Sequence, residues 1–293
     1  MSMTGREGKM PESSNAWIEG FKSDVYSQCG EDGVIGKILE ILPRKDRWCV
    51  EFGAWDGRHL SNTRNLIENH GYSAVLIEGS KEKFQDLKRN YSKFPNVTAL
   101  NRFVGFREGD NLDDILKETS IPVDFDFLSI DIDGNDYHVW KAISLYAPKM
   151  VCIEFNPTIP TEVRFVQPSD PSVSQGASLS ALAELGKSKG YELVSVLPIN
   201  AFFVRKEFFP LFRIDGNRPE LLRKNLENIT YLFFGYDGTV FLRGNPKSPW
   251  HDMELLESKV QILPKFLRIY PDNYGIVKNF LYRRIRRFRK WIR

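Results

Sequence analysis

The chain has 293 residues, of which 42% are hydrophobic and 27% charged, and 41 Lys and Arg against 38 Asp and Glu leave a net charge of +3. Such a chain can bury a sizeable core, which excludes a disordered or low-complexity polypeptide and predicts one substantial domain with additions. No apolar run approaches the ~18 residues of a membrane span, and the polar, glycine-rich start is no charged-then-apolar leader, so a soluble cytoplasmic protein is expected.

Residues 1–20 read as a flexible arm. Tyr26-Ser27-Gln28-Cys29-Gly30-Glu31-Asp32 then introduces an amphipathic helix over 34–42, stopped by Pro43. The stretch Cys49-Val50-Glu51-Phe52-Gly53-Ala54-Trp55-Asp56-Gly57 is an apolar strand ending in a carboxylate, followed by two glycines four apart. A dinucleotide site would show G-x-G-x-x-G, in which the second glycine lets the backbone approach a pyrophosphate. Trp55 stands in that place, which disfavours a nicotinamide-dependent oxidoreductase and suits a phosphate-free nucleoside such as S-adenosylmethionine. Glu51 is a candidate acceptor for its cationic amino group.

A helix over 61–70, closed by Gly71, leads to the buried strand Ser73-Ala74-Val75-Leu76-Ile77 and then Glu78-Gly79-Ser80. This completes a βαβ unit in which an acid at the second strand end can bind both ribose hydroxyls, the role expected of Glu78. Its alternative is a solvated acid at the next helix start. Further strands are predicted at 97–100, 127–132 and 150–155, and these repeated βα units argue for a doubly wound, mostly parallel sheet. A helix over 179–189 and a hairpin of strands 192–197 and 201–204 close it.

On an extended chain, Asp131 and Asp133 share one side, as do Glu154 and Asn156, and neighbouring strands lie about 4.8 Å apart. Convergence of these oxygens leaves two readings open. Asp131 or Asp133 with Glu154 and Asn156 can hold Mg²⁺ or Mn²⁺, which acts as a Lewis acid on a substrate oxygen. Alternatively an aspartate, Asp131 or Asp133, or His138 takes a hydroxyl proton directly. Arg164 and Gln167, in the loop over 157–175, have the chemistry to meet a sugar or phosphate, and Trp55 and Phe155 either stack on a ring or pack.

The chain resembles the FkbM-type methyltransferases, a class I branch that uses S-adenosylmethionine and acts on sugar, glycan and polyketide hydroxyls. The matching residues are Tyr26-Ser27-Gln28 with Gly30-Glu31-Asp32, the Glu51 to Gly57 turn, Ser61-Asn62-Thr63, Glu78, the stretch from Phe127 to Asp136, and Gly176-Ala177-Ser178-Leu179. One departure is Asp131-Ile132-Asp133-Gly134, where the family commonly has Asp-x-Glu-Gly and therefore a longer second acid. The resemblance covers about residues 26–205. It implies a seven-stranded Rossmann-like methyltransferase sheet and O-methylation of a sugar, glycan intermediate or related hydroxylated metabolite. With the strand-end reading, it makes Gln28, Glu51, Gly53, Gly57, Asn62, Glu78, Gly79, Ser80 and Asp131 the candidate cofactor-binding set.

Residues 206–293 read as an addition, with a second hairpin turning at Asp237-Gly238. Its end, 279–293, carries Arg283, Arg284, Arg286, Arg287, Arg289, Lys290 and Arg293 among apolar residues at three- and four-residue steps. Such a basic amphipathic helix either rests on an anionic membrane surface or packs its apolar stripe back on the protein. Nucleic acid is the less expected partner. A membrane- or nucleic-acid-binding accessory protein on the same fold is the competing function. The three cysteines, Cys29, Cys49 and Cys152, read as thiols of a reducing compartment, two of them in or beside core strands.

Overall fold

The computed structural model describes residues 15–43 and 45–291 and divides into two compact units, which separate between Leu226 and Glu227. In the first unit, helix α1 (Glu31–Ile41) precedes β1 (Trp48–Phe52), α2 (Arg64–His70), β2 (Ser73–Ile77), α3 (Lys81–Asn90), β3 (Val97–Leu100), α4 (Leu112–Leu116) and β4 (Phe127–Ile130). There follow α5 (Asp136–Ala142), β5 (Met150–Glu154), α6 (Leu179–Ser188), β6 (Tyr191–Val196) and β7 (Asn200–Arg205). The strands form one seven-stranded sheet in the order β3-β2-β1-β4-β5-β7-β6. Strands β1 to β5 run parallel, and β7 inserts antiparallel between β5 and β6. This is a doubly wound, mostly parallel α/β sheet with one antiparallel strand near its edge.

The inner strands are mostly apolar because both faces are covered. Val50, Phe52, Val75, Ile77, Leu128 and Ile130 point into one core, while Cys49, Ala74, Leu76, Phe127, Met150 and Cys152 alternate into the other, beneath Val34, Ile35 and Ile38 of α1. Cys49 and Cys152 are thus buried free thiols, and Cys29 is a half-buried one. At the sheet's amino edge, buried Asp126 accepts hydrogen bonds from the backbone N–H groups of Asp46 (3.1 Å) and Arg47 (2.9 Å) and from Lys149 Nζ (2.8 Å), fixing the start of β4.

Of the expected N-terminal arm, residues 1–14 lie outside the described residues. Residues 15–20 pack onto the body, with Ile18 fully buried and the Trp17 indole N–H donating to the Phe212 carbonyl at 2.9 Å. Residues 206–226 also belong to this unit, since Phe212 and Leu222 are both buried in its cores.

The second unit holds the expected hairpin, β8 (Thr230–Phe234) and β9 (Val240–Gly244), turned at Gly238 with φ +81°. A basic helix, Ile276–Trp291, follows two short strands and short helical turns. Among the described residues no helix is long and apolar enough to cross a membrane.

Candidate active site

The carboxyl ends of β1, β2 and β4 open onto a cleft of about 340 Å³, lined by Gly53, Trp55, Glu78, Gly79, Ser80, Arg102, Phe103, Asp131, Asp133 and Asn135 among others. Five of the residues expected at the cofactor are therefore together: Gly53, Glu78, Gly79, Ser80 and Asp131. Gly53 has φ +69°, and its lack of a side chain admits the Asp131 carbonyl oxygen, which would lie 2.1 Å from any Cβ placed there. The two strand ends meet backbone to backbone as a result.

Glu78 follows β2 directly and is buried. One of its oxygens accepts the Trp55 N–H (2.8 Å) and the other the Ser80 N–H (2.7 Å), which ties the β1 turn to the start of α3. Each oxygen has a second lone pair left for a ligand hydroxyl. Trp55 is left-handed at φ +51°, a conformation uncommon for a bulky side chain. Its half-exposed ring has Lys83 Nζ 4.3 Å from its centroid.

Glu51 does not line the cleft. It is the penultimate residue of β1, so its side chain alternates onto the sheet face that carries Cys49. There Ser61 Oγ and Thr63 Oγ1 each donate to Oε2 at 2.6 Å and the Asn62 N–H donates to Oε1 at 2.9 Å. Burial raises its pKa, and the Ser61, Thr63 and Asn62 hydrogen bonds oppose the rise. Asn62 is itself held, donating through Nδ2 to Ser129 Oγ at 3.1 Å. Gly57 serves packing: its φ is +71°, a Cβ would meet Leu87 and Tyr91 at 2.5 Å, and its carbonyl accepts the Tyr91 hydroxyl at 2.7 Å. Gln28 is exposed outside the cleft, its N–H directed to Glu31 Oε2 at 3.2 Å. The surrounding motif folds on itself, with Asp32 Oδ2 accepting the N–H groups of Val25, Tyr26 and Ser27 at 2.7 to 2.9 Å.

The expected straight extension of β4 through Asp133 does not occur. The strand ends at Ile130, and the chain turns through Asp133 at φ +56°. Buried Asp136, to which the sequence assigned no role, closes this turn by accepting the Ile132 and Gly134 N–H groups, each at 2.9 Å. Burial raises its pKa to about 6, and those hydrogen bonds oppose the rise. A turn rather than a strand therefore brings one oxygen each of Asp131, Asp133 and Glu154 within 4.8 Å of one another. Burial first, then the neighbouring carboxylates, raises the pKa of Asp131 and of Glu154 well above the usual carboxylate range.

Asn156 stands outside this trio. β5 ends at Glu154, and the Asn156 amide is occupied in the following loop: Oδ1 accepts Thr158 N (2.9 Å) and Oγ1 (2.6 Å), and Nδ2 donates to the Gln175 carbonyl (2.9 Å). His138 likewise faces the loop, its Nε2 2.9 Å from the Gln167 carbonyl and its ring beside Phe106 and Tyr137. Buried Gln167 is consumed internally, its Oε1 accepting the Gln175 and Gly176 N–H groups, both at 2.7 Å. Arg164 is paired with Glu184 at 2.6 Å, and Phe155 is packed in the core. Asn135 is a further residue the sequence did not flag. It is buried at the cleft, and its Oδ1 has no hydrogen-bond partner.

An open groove of about 520 Å³, lined by Asn156, Thr158, Ile159, Val163, Phe165 and Gln175 among others, shares Ser174 with the cleft.

No family model and no curated protein matches the chain. Similar solved structures include the N-terminal domain of EvdMO1 in the presence of SAH and D-fucose, at 11% identity over 60% of this chain and 82% of that one, with a TM-score of 0.39. A SAM-dependent methyltransferase from Aquifex aeolicus is 14% identical over 66% of this chain and 97% of that one, with a TM-score of 0.37. The CurJ carbon methyltransferase is 10% identical over 62% and 56% respectively, with a TM-score of 0.43.

Proposed function

We propose that the protein is an S-adenosylmethionine-dependent O-methyltransferase of the FkbM type, acting on a hydroxyl of a sugar, glycan intermediate or related metabolite. The observation that carries this reading is the cleft where Gly53, Glu78 and Asp131 meet at the ends of three parallel strands. Open α/β sheets bind ligands at that edge, and a buried acid after β2 beside a glycine turn after β1 suits an adenosine ribose with no phosphate to cradle. Trp55 in place of a second glycine is tolerable for such a ligand. When bound, S-adenosylmethionine supplies an electrophilic methyl group.

In this reading Glu78 binds the ribose hydroxyls, and Glu51 acts indirectly by holding residues 61–63. Asp131, with its raised pKa, takes the proton of the acceptor hydroxyl or orients that hydroxyl at near-attack distance, which supplies much of the rate in an in-line displacement. The groove that shares Ser174 with the cleft is the natural place for the acceptor. A second reading of the acidic end is favoured by the convergence of Asp131, Asp133 and Glu154. Their hard oxygens fit Mg²⁺ or Mn²⁺, which would supply Lewis acidity toward the acceptor oxygen when bound.

Isothermal titration with S-adenosylmethionine and its demethylated product, followed by transfer of a labelled methyl group to a panel of sugars and glycans, tests the function. Binding of both nucleosides is expected, and failure of both to bind removes the proposal.

A further inference from the structure

The second unit buries little of its apolar content. Ile229, Val240 and Leu267 are its buried hydrophobic residues among those described. In contrast, Phe234 of β8 is 57% exposed, and on the basic helix Ile276 is 93%, Val277 71%, Phe280 58% and Phe288 66% exposed. Isolated exposed apolar residues are ordinary, but a run of them along one helix calls for a partner.

The helix also defines the charge of that partner. From Ile276 to Arg293 the sequence has eight basic residues and no acidic one. The described ion pairs of the unit join Arg243 to Glu257 and Lys247 to Asp252, and none involves the helix. At 3.6 residues per turn, Ile276 and Phe280 form one row and Val277, Leu281, Ile285 and Phe288 the adjacent row, giving an apolar half, while Lys278, Arg283 and Arg286 fall on the other side. Arg284 and Arg287 lie within the apolar half, Arg284 with its guanidinium 5.1 Å from the Phe280 ring centroid. A long side chain there can lay its stem on apolar surface and carry its charge outward.

We infer that this helix lies in the plane of an anionic phospholipid surface, with Ile276, Val277, Phe280 and Phe288 entering the acyl boundary and the arginines meeting the headgroups. A bare polyanion would satisfy the arginines and leave those four apolar side chains in water, whereas an anionic bilayer satisfies both. The inference is independent of the methyltransferase reading.

The test is flotation of the full-length protein with vesicles of phosphatidylcholine alone and of phosphatidylcholine with 30% phosphatidylserine. Binding to the anionic vesicles at least tenfold tighter than to neutral ones, weakened by salt, is expected. In the full chain, F280S with F288S should lower that binding tenfold or more, and R283A with R286A should do the same. All four substitutions are at exposed positions, and far-ultraviolet circular dichroism monitors the fold. Equal binding to neutral and anionic vesicles, or no binding to either, overturns the inference. So does polynucleotide binding that survives F280S with F288S alongside unchanged vesicle binding.

Discussion

A methyl group on Gly53 would lie 2.1 Å from the carbonyl oxygen of Asp131, closer than any real contact, so the ends of β1 and β4 can meet only if residue 53 has no side chain. Gly53→Ala combines this backbone clash with a positive φ and is expected to cost about 2 to 5 kcal/mol of stability. Where the variant still folds, the cleft is displaced and affinity for the demethylated cofactor product falls. Urea denaturation and calorimetry measure the two effects, and wild-type values in both would remove Gly53 from the site's construction.

Glu78→Ala removes the proposed ribose acceptor and leaves the Trp55 and Ser80 N–H groups without their partner. Loss of hydrogen bonds to a charged group of about 1.5 to 3 kcal/mol corresponds to cofactor binding roughly 10- to 100-fold weaker. The dissociation constant from calorimetry reads this directly, and an unchanged constant would return Glu78 to a purely structural role.

The acid and the histidine separate by position. Asp131 lines the cleft and His138 does not, being engaged with the Gln167 carbonyl. Asp131→Asn should keep the fold and lower kcat by about 100-fold or more, while His138→Gln should stay within about threefold of wild type. The reverse ranking would make His138 the base.

Stability should depend on pH in a definite direction. Asp131, Glu154 and Asp136 all have raised pKa values in the folded state, that of Asp136 to about 6. The folded protein therefore holds protons that the unfolded chain releases near pH 4. Their stabilisation is complete below that pH and is lost as pH rises through the raised values. Melting temperature should fall across this window, and Glu154→Gln should flatten the fall. At pH 8, added Mg²⁺ should raise the melting temperature of wild type and not of Glu154→Gln if the trio binds it. Parallel curves for the two proteins would show that the cluster does not set the pH response.

Much of the fold is legible in the sequence because a parallel sheet covered on both faces demands continuous apolar strands. The strand at 73–77 and the βα order follow from that demand, as does the glycine turn after Phe52, and the Asp237-Gly238 hairpin follows from turn chemistry. Glu78 and Asp131 at strand ends were readable for the same reason. Side-chain destinations were not. The parity of β1 sends Glu51 to Ser61, Asn62 and Thr63, and a left-handed Asp133 stitched by Asp136 replaces the extended strand that would have aligned two aspartates. Asn156 and Gln167 offered apt chemistry, yet loop backbone groups claim both.

The sequence by itself determined the sheet, its edge and the residue types that reach that edge, since hydrophobic periodicity and glycine punctuation are local signals. Only the tertiary structure decided which acids share the cleft. That depends on where each strand ends and which buried N–H groups require an acceptor, and such constraints exist only once distant segments are packed together.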